Sequence, residues 1–150
     1  MDPLSVSLGC VALLPPIAKA SALISKFILE VRDARKEMSM IQSELVSLTS
    51  VLEILAQDMR DCPENIFPTA LVEDINGIVG ACDNAVKQIE QCIAAHTNDK
   101  TSKSVKWALF GRESMLRYKS ILEAYQRALS MAVETLNLYV SSIDQHFRND

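Results

Sequence analysis

Two histidines and four cysteines are the side chains of this 150-residue chain best suited to metal or nucleophilic chemistry. Their spacing supports neither. His96 lies in a polar stretch and His146 near the last residues, and neither stands in a His-Glu-x-x-His or Glu-x-x-His arrangement. Cys10, Cys62, Cys82 and Cys92 form no C-x-x-C pair and no framework spacing, so they read as reduced thiols, with Cys82 and Cys92 as small core residues. The serines have no identifiable base, and there is no G-x-S-x-G elbow or phosphate-cradling glycine loop. Glu44 with Glu53, and Asp58 with Asp61, read as solvated helix faces rather than acid–base pairs. The expectation is a protein without catalytic residues, metal or cofactor, and not an enzyme.

The elements that would position any site begin with an unusual segment. From Pro3 to Ala18 there is no charged side chain; Lys19, Lys26 and Glu30 then return in a helical pattern. Leu4 to Leu14 resembles the apolar region of a signal peptide, with small residues around Ala18 to Ala22, but Asp2 gives the leading end the wrong sign. A membrane span needs about 20 apolar residues, and this run is shorter. Pro15 and Pro16 also remove two backbone donors inside it. A constitutive anchor is therefore not expected. Insertion by several copies that share the cost of Lys19 and Lys26 remains open.

Composition points to helix. The chain is 49% hydrophobic but only 5% aromatic, with four glycines, five prolines and a net charge of −4. One domain spanning residues 1–150 is expected, without strands. Apolar residues at Val31, Ala34, Met38, Ile41, Leu45, Leu48, Leu52, Leu55 and Met59 alternate steps of three and four, and the register continues backwards through Phe27, Ile24, Ala20, Ile17, Leu13, Cys10 and Val6. A single helix from Pro16 to Asp61 would be about 68 Å long, against a radius of gyration of about 15 Å for a compact chain of this size. A break is expected around Glu30 to Asp33, with Asp33 capping the second helix.

Further seams run from Leu71 through Ile75, Ile78, Cys82 and Ile89 to Ile93, and from Met115 through Tyr118, Leu122, Leu129 and Leu136 to Ile143. Asp61 to Asn65 and His96 to Ser104 punctuate them, and Val105 to Phe110 reads as a short helical turn before Gly111. The predicted fold is an all-α, four-helix up-down bundle with that extra turn before the last helix. Its helices lie near Leu4–Glu30, Arg35–Arg60, Thr69–Ala95 and Glu113–Phe147. Leu45, Leu48, Leu52, Ile75, Leu122, Leu129 and Leu136 form the expected core seam.

One charge feature departs from the acidic average. Lys100, Lys103, Lys106, Arg112, Arg117 and Lys119 face only Asp99 and Glu113. Beside Trp107 and Phe110, this stretch could meet an anionic lipid surface, with Lys100, Lys103, Lys106 and Arg112 in contact. The plainer reading is a solvated loop with Trp107 plugging the end of the bundle. Nucleic acid is not an expected partner at a pI near 5.2.

The segments MDPLSVSLGCVALLPPIAKASALISKFI, SELVSLTSVLEIL and KWALFGRESMLRYKSILEAYQRALSMAVETLN resemble the fungal N-terminal domain of STAND-type, NLR-like proteins. This HeLo-like family is also named after the azaphilone pigment cluster protein whose N-terminus carries it, and the resemblance extends to about Leu138. The family is similar to the fungal HeLo domain, the helical bundle of the necroptosis pseudokinase executioner and the coiled-coil domains of plant resistance proteins. The resemblance implies a cell-death-inducing bundle of fungal innate immunity and heterokaryon incompatibility. On that reading it is cytoplasmic until activated, and then oligomerises and drives its first helix into the plasma membrane to form a pore. The implied partners are further copies of the chain, anionic membrane lipids and an upstream NLR-like receptor that supplies the trigger. Leu4, Val6, Leu8, Val11, Leu13 and Leu14 would insert. The competing class is a non-lytic interaction module, a signalling adaptor in which those same residues stay in the core.

Overall fold

The computed structural model describes residues 2–61, 66–97 and 107–150. Among them there is no strand. Four helices account for the fold: α1 (Pro3–Glu30), α2 (Arg35–Asp61), α3 (Thr69–Thr97) and α4 (Arg112–Arg148). Each end lies within two residues of the position expected from the apolar seams.

Local chemistry explains the boundaries. Asp2 caps α1, accepting a 2.7 Å hydrogen bond from the Ser5 amide, and Pro3 occupies the first turn, where its missing N–H costs nothing. The first helix stops at Val31, which is extended, and a single 3-10 turn at Arg32–Ala34 reverses the chain into α2. Asp33 lies inside this turn rather than ahead of it, so the expected capping role is replaced by a tight backbone turn between two buried apolar residues, Val31 and Ala34. A π-helical turn at Trp107–Gly111 leads directly into α4.

Pro15 and Pro16 do not break α1, which runs through both. The two carbonyls deprived of their i+4 donors belong to Val11 and Ala12. Both residues are on the exposed side of the helix, where water can satisfy those oxygens.

Each helix packs mainly on two others: α1 and α4 both pack on α2 and α3. Ser7 meets Ala56 and Gln42 meets Ser21, so α1 and α2 run antiparallel. Gly9 lies beside Val79 and Lys19 beside Glu90, so α1 and α3 are parallel neighbours. Arg112 pairs with Glu37, which makes α2 and α4 parallel as well. Direction thus alternates along the chain, as in an up-down bundle, but the connection from α2 to α3 crosses the bundle diagonally.

The core is one contiguous apolar cluster fed by all four seams. Leu45, Leu48, Leu52, Ile75, Leu122, Leu129 and Leu136 are all buried in it. At one end Trp107 is fully buried, tilted against Phe27 at 5.6 Å and edge-on to His96 at 6.4 Å. Gly111 makes that plug possible: a Cβ there would lie 2.5 Å from the indole and 3.0 Å from His96 Nε2. The opposite end is closed by Phe67, edge-on to Tyr139. At 37 residues, α4 is longer than its neighbours, and its last turns run past the end of α2.

Candidate functional site

The first helix carries apolar residues on two faces. Its inward stripe, Val6, Cys10, Leu13, Ile17, Ala20, Ile24 and Phe27, is buried against α2 and α3. Its outward stripe begins Leu4, Leu8, Val11, at spacings of four and three, with exposures of 55, 62 and 40%. Pro15, Ala18 and Ala22 continue that exposed side, and Leu29 ends it. An amphipathic surface helix carries charge opposite its buried stripe. Over its first sixteen residues α1 carries none.

The six residues expected to insert therefore divide. Leu4, Leu8 and Val11 face solvent, Leu14 is half-buried, and Val6 and Leu13 belong to the core. Two helical stretches, Pro3–Glu30 and Arg32–Asp61, are long and apolar enough to cross a membrane by length and composition alone.

Polar contacts tie α1 down. Ser7 is a buried polar residue, and its hydroxyl donates to the Ala56 carbonyl at 2.7 Å. Near the other end, the Gln42 amide donates to the Ser21 carbonyl at 3.0 Å and to Ser25 Oγ at 2.7 Å. Lys19 reaches Glu90 of α3 at 3.8 Å. Sequence periodicity could not identify Ser7, because a serine at an apolar register position looks like a tolerated small residue. The cap of α1 was missed as well, although Asp2 followed by Pro3 is the pattern that could have placed it.

The remaining candidate groups are not assembled for chemistry. Cys10, Cys82 and Cys92 are free thiols. Burial pushes Cys10 up to about 11, and burial together with the nearby Cys10 pushes Cys82 up to about 12, so both stay protonated and unreactive. His96 Nδ1 lies 2.8 Å from the Cys92 carbonyl one turn back. Among the described residues no group of His, Cys, Asp or Glu could hold a metal ion.

Two carboxylates are less solvated than their sequence positions suggested. Glu44 faces Glu123 of α4, and burial followed by that repulsion raises its pKa. Asp58 is half-buried, its Oδ2 has no hydrogen-bond partner, and burial followed by Asp61 raises it too.

Of the residues expected to touch an anionic surface, Lys100, Lys103 and Lys106 lie outside the described residues, as does Cys62. Arg112 is described, and its Nε pairs with Glu37 Oε1 at 3.0 Å. That ion pair fixes the start of α4 against the start of α2.

These features define a class: a non-sheet, four-helix module whose first helix is apolar beyond the needs of its own core. The chain belongs to the family described as pigment biosynthesis cluster protein PigL N-terminal, whose model matches residues 1–150. No curated protein and no solved structure matches it.

Proposed function

We propose that the protein is a membrane-targeting, cell-death-inducing module that acts when several copies cluster and deliver α1 to the plasma membrane. The observation that carries this reading is the outward apolar stripe of Leu4, Leu8 and Val11 on a helix with no charge from Pro3 to Ala18. At 28 residues α1 is about 42 Å long, enough for a hydrocarbon core of about 30 Å.

Energetics supports a clustered trigger. Exposing Val6, Leu13, Ile17, Ile24 and Phe27 to water would cost roughly 8–15 kcal/mol, as much as the entire stability of a typical domain. A lone bundle in water keeps α1 in place. Transfer of that stripe from the core into lipid, in contrast, exchanges one apolar medium for another. The remaining costs are the apolar faces of α2 and α3 that α1 uncovers, the free carbonyls of Val11 and Ala12 and the charges of Lys19 and Lys26. Neighbouring copies can supply donors and polar surroundings for the carbonyls and the charges.

A second reading, a non-lytic interaction module, is favoured by the depth of the inward stripe and by the buried Ser7–Ala56 bond. Leakage of dye from vesicles containing phosphatidylserine separates the two. The protein is fused to an inducible clustering tag and compared with L8D and V11D, both changed at exposed positions. The executioner reading expects leakage on clustering for the wild type, and loss of it in variants that retain the wild-type melting temperature. Leakage unaffected by the two aspartates, or absent from the clustered wild type, supports the adaptor reading instead. L13D is not a clean probe, because Leu13 is in the core.

A further inference from the structure

The two ends of the bundle carry matched surfaces of opposite charge. At the end where α2 and α4 finish, a cleft of about 400 Å³ has an apolar floor that includes Phe67, Val140 and Phe147. Asp58, Asp61 and Asp144 line its rim. Phe147 is 76% exposed, on the part of α4 that outruns α2. Glu73 and Asp74, in the second turn of α3, add to this acidic end, which holds Arg60 and Arg148 as its cations among the described residues. Asp58 Oδ2 is buried without a hydrogen-bond partner, an arrangement that costs free energy unless a donor arrives.

The opposite end has a concavity of about 460 Å³ lined by Ile28, Leu29, Arg32 and Arg35. Leu29 is 82% exposed there, and Lys36 is exposed beside it. Glu30 and Asp33 share this turn and leave it net positive with Lys26 counted. One pole is therefore apolar and basic, the other apolar and acidic, about 42 Å apart along α1.

We infer that the acidic cleft at the end of α2 and α4 receives the Ile28–Arg35 turn of a second copy, so that bundles associate head to tail. Leu29 of one copy lies on the floor formed by Phe67, Val140 and Phe147 of the next. Arg32 and Arg35 reach the rim aspartates, and a guanidinium is the donor that Asp58 lacks. Such a contact is heterologous: each copy uses two different surfaces and keeps one of each free, so the assembly grows into a ring or a filament rather than stopping at a dimer. The inference deepens the self-association in the function proposed above by naming its interface, and it requires no membrane.

Sedimentation velocity of the untagged protein tests it without lipid or clustering tag, so its failure leaves the membrane reading standing and the converse also holds. Two variants each disable one pole at exposed positions: D61R/D144R, which reverses the rim, and R32Q/R35Q, which only neutralises the turn, so that the two altered poles do not attract each other. The wild type should grow in mass with concentration at low salt and dissociate at high salt. Each variant alone should associate at least about tenfold more weakly. Mixed one to one, the variants still offer one intact basic pole and one intact acidic pole, and should form a dimer that grows no further. A wild type that stays monomeric to about 1 mM at low salt would overturn the inference. So would variants that self-associate as the wild type does, or a mixture that remains monomeric while circular dichroism shows both variants folded.

Discussion

Helices α1 and α2 are nearly equal in length and pack against each other along the bundle, yet they treat their outer faces differently. In α2 the buried stripe from Met38 to Met59 is backed by Ser39, Ser43, Ser50, Glu53, Gln57 and Arg60, with Val46 and Ile54 as scattered apolar exceptions. That is the pattern of a helix made for one environment, core on one side and water on the other. In α1 the same inward stripe is backed by Leu4, Leu8, Val11, Pro15 and Ala18. The bundle needs only one of its two faces. The other is apolar surface kept in water, and it matters only if α1 meets a second apolar medium.

The largest expected effects test whether the inward faces are equivalent. Leu52→Ala in α2 and Leu13→Ala in α1 should each cost roughly 2–5 kcal/mol in denaturant unfolding. A cost below about half a kcal/mol for Leu13 alone would mean that α1 is only loosely held and that the comparison starts from a wrong premise. Gly9→Ala should act in the opposite direction. A Cβ there would sit at ordinary contact distance, 3.8 Å, from Val79, and removing a mid-helix glycine should stabilise the bundle by about 0.5–1 kcal/mol.

Asp58 gives a smaller effect that depends on pH. Burial, and then Asp61, raise its carboxyl above the ordinary 3.8, so the fold disfavours the charged form. This cost is present above the raised folded pKa and vanishes as the pH falls below 3.8, where both folded and unfolded chains are protonated. Asp58→Asn should therefore melt higher than the wild type at neutral pH, with the two curves converging at about pH 3. The same substitution should weaken head-to-tail association, separating stability from use of the cleft. Smallest of all should be the effect of Leu8→Asp on stability, within about half a kcal/mol, because its side chain already faces water.

Much of this architecture was legible in the sequence because a bundle writes its seams in steps of three and four. The inward stripe of α1 and the whole of α2 could be read that way. Periodicity says that a face is buried but not which helix buries it. The parallel pairing of α1 with α3, and the diagonal connection it demands, could therefore not be read from Ile17 or Ile89. Val6 and Leu13 fall on the inward register and Leu8 does not, yet the family resemblance marked all three for insertion; the packing keeps Val6 and Leu13 in the core and leaves Leu8 in water. Pro15 and Pro16 suggested an interruption. The helix survives because the carbonyls they orphan lie at exposed Val11 and Ala12. Asp58 read as solvated because its neighbours across the cleft, Phe67 and Val140, are distant in sequence.

The central claim is that α1 leaves α3 when clustered copies meet lipid, and a removable tether tests it most directly. With the native thiols replaced by alanine, Gly9→Cys and Val79→Cys place a cysteine pair across the α1–α3 contact, where a Cβ at position 9 lies 3.8 Å from Val79 Cγ1, and formation of the disulfide is checked by loss of free thiol. The oxidised protein, clustered on phosphatidylserine vesicles, should release no dye, and adding a reductant should restore leakage to the level of the cysteine-free parent. Equal leakage from the oxidised and reduced forms would contradict the claim, because a bundle that acts with α1 locked in place does not use it as the inserting element.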